Sequence, residues 1–211
     1  MGSKQYIIEK YSIDDHGEKF IEIPNMNRED LAVLFSELNF MTGAEVGVKQ
    51  GVYSEILCKA NPNINLYSID GWEVYVDSIY GSEEDLNSWY SETKEKLSIY
   101  PNSRVVKGFS MDVVKTFEDN SLDFVYIDAN HRYKFIYEDL TEWAKKVKIG
   151  GIISGHDFLF SHNCKVSKAI DHYTKSKNIR PIYIIGRGEK KRNEKRDASR
   201  SWFWIKENTY D

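Results

Sequence analysis

Only two cysteines, Cys58 and Cys164, occur in 211 residues, and they are far apart without a metal-type spacing. That scarcity excludes a disulfide scaffold and points to a reducing, cytoplasmic compartment. No run approaches the ~20 consecutive apolar residues of a membrane span. The first ten residues alternate polar and apolar types and lack the apolar stretch of a signal peptide. Tyr6 stands where a myristoylation signal wants Ser or Thr. An excess of one charge is missing too. The 29 Lys and Arg against 33 Asp and Glu leave a net −4, so no global field draws in nucleic acid or an anionic membrane. Repeats, linkers and low-complexity segments are likewise missing, and the length suits one domain over residues 1–211.

What is there is alternation. Asn27 caps a helix whose apolar stripe is Leu31, Leu34, Phe35 and Leu38, with acids at its positive end. Residues 44–48 (A-E-V-G-V) read as a short buried strand, and a helix resumes over 54–60 until Pro62. A strand over 65–70 ends on Asp70, and a helix over 82–100 stops at Pro101. Further strands fall at 104–107, at 122–127 before Asp128, and at 152–154 before His156-Asp157. Between them lie a short helix from Ser110 and a longer one over 133–147. Five strands alternating with helices imply parallel pairing through right-handed crossovers. Residues 182–185 and 202–205 follow as two strands with no helix between them, hence an antiparallel hairpin. The expectation is a doubly wound, Rossmann-like α/β fold. Its seven-stranded sheet is mostly parallel and ends in that hairpin; residues 1–40 form an N-terminal cap and 41–211 the core.

The first strand runs into Glu45-Val46-Gly47-Val48-Lys49-Gln50-Gly51 and then a helix. Glycines in such a turn let a ligand approach the backbone. Asp70 follows Gly51 at about the ~20-residue interval at which an acid meets ribose hydroxyls. The nicotinamide fingerprint G-x-G-x-x-G has a middle glycine against a pyrophosphate, and Val48 and Lys49 stand in its place. S-adenosylmethionine carries no pyrophosphate. E-V-G-V-K-Q-G and Ile69-Asp70-Gly71-Trp72 together resemble the first two motifs of the class I S-adenosylmethionine-dependent methyltransferases, and Gly108-Phe109-Ser110 is similar to their adenine-edge motif. The resemblance implies that Glu45 and Gly47 lie against the methionine part, with Val48, Gly51 and Ser54 in the same motif. It implies further that Asp70 and Gly71 hold the ribose, that Trp72 and Ser110 lie near the adenine, and that Asp128 and Ala129 complete the cofactor site.

Two more clusters carry chemistry, Asp128-Ala129-Asn130-His131-Arg132-Tyr133 and Gly155-His156-Asp157-Phe158. Both stand at strand ends on the edge where such sheets bind ligands. I-D-A-x-H-x-Y and G-H-D-F look like the branch that includes macrocin-type small-molecule and sugar O-methyltransferases, whose members often use a divalent metal. The resemblance implies a small hydroxylated acceptor such as a sugar or nucleotide sugar. A hydroxyl attacks a sulfonium methyl only once its proton is removed. His131, His156 or Asp157 can take that proton, or Mg²⁺ held by Asp128 and Asp157 can lower its pKa. Metal-dependent members often carry two acids, or an acid and an amide, after the fifth strand. Here His156-Asp157 supplies one carboxylate fewer, so the metal and the metal-free mechanisms both stay open.

Bland readings stand beside these. A strand-end acid is often a helix cap, and a lone histidine is often structural. Residues 188–200 form a charge run read as a solvated loop, with closure of Lys190, Lys191 and Arg192 over an anionic acceptor as the alternative. Residues 71–85, with Tyr75 and Tyr80, suit either a lid or a contact in a homo-oligomer. The competing functions are a nicotinamide-dependent oxidoreductase and a non-catalytic adenosyl- or RNA-binding module.

Overall fold

The computed structural model describes residues 1–74, 81–161, 163–186 and 199–209. The chain opens with α1 (Ser3–Tyr11), β1 (Phe20–Glu22) and α2 (Arg28–Glu37). Strand–helix units follow: β2 (Thr42–Val46) and α3 (Val52–Ala60), then β3 (Asn65–Asp70) and α4 (Glu83–Leu97). Next come β4 (Ser103–Lys107) with the short α5 (Ser110–Val113), and β5 (Leu122–Ile127) with α6 (Tyr133–Lys146). β6 (Val147–Phe158), α7 (Lys165–Ser176), β7 (Ile182–Ile185) and β8 (Arg200–Ile205) complete it.

The sheet order is β1-β7-β8-β6-β5-β2-β3-β4. From β2 the chain winds outward through β3 and β4, then returns to β2's other side with β5, each pair parallel. The order therefore reverses between β2 and β5, and crevices at such a reversal open at the carboxyl ends of the strands. β8 runs antiparallel to both β6 and β7, which makes the expected terminal hairpin.

Both faces of the sheet are covered, and the side chains sort with a period of two. On one face Val125, Ile127, Ile153, Trp202 and Trp204 join α6 and α7 through Leu140, Trp143, Ile170 and Tyr173. On the other, Phe124, Tyr126, Ile152, Phe203 and Ile205 meet α2 and α3 through Leu31, Phe35, Tyr53 and Leu57. α2 starts where the sequence says: Asn27 Oδ1 accepts from the Asp30 amide at 3.0 Å and Asp30 Oδ2 accepts from the Asn27 amide at 2.9 Å.

Two elements escape the sequence reading. Among the described residues the sheet has eight strands rather than seven, because Phe20–Glu22 pairs in parallel with β7. Without it the outer side of β7 would present unpaired backbone groups, an exposed edge that proteins avoid. The 1–40 segment is thus partly a strand of the sheet and not only a cap. The second is α7, which lies between β6 and β7 and buries Val166, Ala169, Ile170 and Tyr173.

Candidate active site

A cavity of about 610 Å³ opens at the carboxyl ends of β2, β3 and β5. Of the residues singled out from sequence, Glu45, Gly47, Val48, Asp70, Gly71, Trp72, Ser110, Asp128, Ala129 and His131 line it. Gly51, Ser54, His156 and Asp157 do not. Asn130 and Arg132 of the cluster that begins at Asp128 line it too, while sequence reasoning missed Arg28, Tyr53, Trp89 and Phe135, which line it from α2, α3, α4 and α6. Tyr75, Tyr80 and the Lys190-Lys191-Arg192 run fall outside the described residues.

The glycines of the turn are also hemmed in by the protein itself. At Gly47 φ is +92°, and a Cβ there would stand 2.3 Å from the Asp128 carbonyl oxygen. The close approach is thus by the end of β5, whose Asp128 amide donates to the Val46 carbonyl at 2.7 Å. At Gly51, with φ +71°, a Cβ would meet Thr93 of α4 at 3.0 Å. α4 also grips the turn directly, since Thr93 Oγ1 and Lys96 Nζ donate to the carbonyls of Lys49 and Gln50.

Asp70 staples this turn to the end of β3. Its Oδ2 accepts from the Val48 and Lys49 amides at 2.8 and 2.9 Å, and its Oδ1 from the Trp72 amide at 3.0 Å. Trp72 is 2% exposed, donates Nε1 to the Lys49 carbonyl at 2.8 Å and packs on Tyr90. Beneath the turn, Glu45 is 2% exposed and takes a short hydrogen bond from the Ser54 hydroxyl, itself 2.7 Å from the Ser68 hydroxyl. Burial pushes the Glu45 carboxyl up to about 8, against the opposing effect of the Ser54 hydrogen bond. Ser54 therefore holds Glu45 from below the cavity.

The second constellation converges as the sequence implied. His131 Nε2 lies 3.0 Å from Asp157 Oδ2 and 3.4 Å from Asp128 Oδ1. His156 Nδ1 lies 3.5 Å from Asp157 Oδ2 and 3.8 Å from Asp128 Oδ2. Two imidazoles thus flank two carboxylates. The hydrogen bond to Asp128 raises His131 above the usual imidazole range, against burial. Burial opposes charge on His156, but Asp157 and Asp128 outweigh it and raise that group as well. Burial also pushes Asp157 up, yet the hydrogen bonds from His156 and Ser199 and the two imidazoles prevail and bring it down to about 2. Asp128, His131 and Asp157 each offer a ligand atom within 4.8 Å of the others, close enough to share one cation. Asp157 is held at φ +58°, a strained backbone for a non-glycine residue, at the end of β6.

A parallel sheet with its switch point at β2 and β5, a glycine turn tied to a strand-end acid, and a terminal antiparallel pair define the class I S-adenosylmethionine-dependent methyltransferase fold. Residues 44–158, more than half of the chain, match the model of a methyltransferase-domain family, and the chain belongs to that family. No curated protein matches the sequence. Among solved structures, it resembles the O-methyltransferase TomG from Streptomyces achromogenes, involved in tomaymycin synthesis, in complex with S-adenosylmethionine. The identity is 15%, the TM-score 0.59, and the match covers 94% of this chain and 85% of that one. An O-methyltransferase from Bacillus cereus in complex with S-adenosylhomocysteine is similar at 11% identity and TM-score 0.58, over 97% and 87% of the two chains. The O-methyltransferase NovP is similar at 17% identity and TM-score 0.60, over 86% and 78%. At these identities the likeness is one of fold.

Proposed function

We propose that this methyltransferase moves the methyl group of S-adenosylmethionine to an oxygen of a small hydroxylated acceptor, such as a sugar or nucleotide sugar. Residues 1–211 then act as one cytoplasmic domain. The observation that carries the reading is the cluster of Asp128, His131 and Asp157 beside the cofactor cavity. A cofactor needs only shape and polar anchors, whereas two carboxylates flanked by two imidazoles suit proton removal or a cation.

The cavity volume lies within the ~300–1,000 Å³ of ligand pockets, and its polar groups suit the donor. Glu45, with Gly47 and Val48, takes the methionine end, where a buried acid can meet the ammonium group. Asp70 and Gly71 take the ribose; a carboxylate has about four lone-pair sites, so three backbone amides leave one for a hydroxyl. Trp72 and Ser110 take the adenine, and Asp128 and Ala129 close the site. Gly51 and Ser54 support it from outside the cavity.

At the acceptor side, one cation and one proton compete for the same place. The His131 imidazole lies between Asp128 and Asp157, where a protonated ring is paired with both. A divalent ion such as Mg²⁺ bound by Asp128 and Asp157 would polarise the acceptor hydroxyl and favour its ionised form. Without a metal, His131 or His156 in its neutral form accepts the hydroxyl proton and Asp157 stabilises the imidazolium that results. Both routes leave the in-line attack on the sulfonium methyl to positioning by the cavity.

The test is transfer of radiolabelled methyl from S-adenosylmethionine to a panel of sugars, nucleotide sugars and phenols, with Mg²⁺ and with chelator. Label in a hydroxyl-bearing acceptor supports the reading. Label entering only amines, or no adenosyl binding in calorimetry, would sink it.

A further inference from the structure

α6 carries a carboxylate that the mechanism does not use. Asp139 is 3% exposed and takes a short hydrogen bond from the Ser110 hydroxyl. From the next turn of the same helix, the fully buried Trp143 donates its Nε1–H to Ser110 Oγ at 2.8 Å. Ser110 itself lines the cavity, as does Gly108.

A serine hydroxyl has one proton to donate and two lone pairs to accept with. At Ser110 the proton goes to Asp139 and one lone pair takes the indole N–H. One lone pair remains, so Ser110 Oγ can meet a ligand only as an acceptor. We propose that Asp139 is a positioning residue that fixes the hydrogen-bond polarity of Ser110, making the cavity select a cofactor base that presents an N–H donor there. This rests on the reading of Ser110 as a contact of the adenine. Under it, the donor is the exocyclic amine of the base. A base with a carbonyl oxygen at that position would set acceptor against acceptor, and while Asp139 is ionised the hydroxyl cannot turn to help because its proton is held there. A site built around a hydrogen bond rejects a ligand that lacks the matching group far better than a shape-matched pocket does.

The experiment is calorimetric binding, above about pH 8 where Asp139 is ionised, of S-adenosylhomocysteine and of its 6-oxo analogue, S-inosylhomocysteine, to the wild type, Ser110→Ala and Asp139→Asn. The wild type should prefer the adenosyl form by roughly tenfold or more, the cost of an unpaired buried acceptor. In Asp139→Asn the amide Nδ2 can donate to Ser110 Oγ in place of the carboxylate, which frees the hydroxyl proton for a ligand, so the preference should shrink through tighter binding of the 6-oxo analogue. A merely structural role would weaken both ligands together and leave their ratio alone. In Ser110→Ala the ratio should shrink through weaker binding of the adenosyl form, a readout that stands even if Asp139→Asn fails to fold. A wild type that binds both equally, or variants that keep the wild-type ratio, would overturn the inference while leaving the cofactor intact. A wild type that binds neither would overturn this inference and the cofactor site together.

Discussion

The Ser54 hydroxyl donates to the Glu45 carboxylate where neither side chain meets bulk water. With burial holding Glu45 near 8, the acid enters neutral solution largely protonated. An ammonium group arriving beside it favours the ionised form, so binding of S-adenosylmethionine at pH 7 should release close to one proton. Calorimetry in buffers of different ionisation enthalpy reads that proton directly. Glu45→Gln should abolish the release and weaken binding; an unchanged release would place the proton elsewhere.

The two buried acids also contribute to the pH dependence of stability, in the same sense as the raised His131 and His156. Burial raises Asp139 to about 7 and Glu45 to about 8, above their values in the unfolded chain. The native state therefore binds more protons than the unfolded state between about pH 4 and 8, and stability falls as pH rises through that window. Each group contributes up to about 1.4 kcal/mol per pH unit within its own window. Asp157, lowered to about 2, acts in the opposite sense only below about pH 4. Urea unfolding of the ligand-free protein at pH 5 and pH 8 should show the higher midpoint at pH 5. Asp139→Asn should flatten the difference, and a midpoint that rises with pH would contradict the burial argument.

Gly47 admits no side chain. Gly47→Ala places a methyl within 2.3 Å of backbone at a positive φ, and neither problem can relax by moving a flexible side chain. The expected loss is about 2–4 kcal/mol, from overpacking and backbone strain together. Thermal unfolding would show it as a drop of several degrees, and a variant as stable as the wild type would mean that β5 can shift.

The cluster should separate binding from turnover. Asp157 lies outside the cavity while Asp128 lines it. Asp157→Asn should lower kcat about 100-fold or more while leaving cofactor affinity within roughly threefold, and Asp128→Asn should damage both. Equal loss of cofactor affinity in both variants would remove the distinction.

Asp70→Ala leaves three backbone amides, from Val48, Lys49 and Trp72, without their acceptor. A cost of about 1–3 kcal/mol in stability is expected with the loss of cofactor binding. Unfolding and binding measured on the same preparation separate the two effects. Lost affinity with full stability would show that the staple is dispensable.

Legibility in the sequence followed the range of the interaction. Strand and helix alternation, the Asn27 cap and the strand-end acids are local patterns, and each appears where its residues place it. The Phe20–Glu22 strand was not legible, because three residues are too short to show alternation and its partner lies more than 150 residues away. α7 carried a readable stripe in Val166, Ala169, Ile170 and Tyr173, but it sits beside the polar run that ends β6. Ser54 looked like a cofactor contact because it follows the glycine turn, and only the third dimension turns it toward Glu45. Arg28 enters the cavity from a helix that precedes the first motif, so no spacing rule connects the two.

The Asp128 carbonyl resting on the α-carbon of Gly47 has a mechanical meaning. On the proposed reading, the turn before α3 holds the methyl donor, and the end of β5 carries Asp128 and His131, which face both donor and acceptor. Their spacing is set by backbone lying on backbone, with no mobile loop in between. Methyl transfer succeeds only when donor and acceptor atoms stand about 3 Å apart and in line. On that reading the bare α-carbon at position 47 is the gauge block of the enzyme, the hard stop from which that distance would be set.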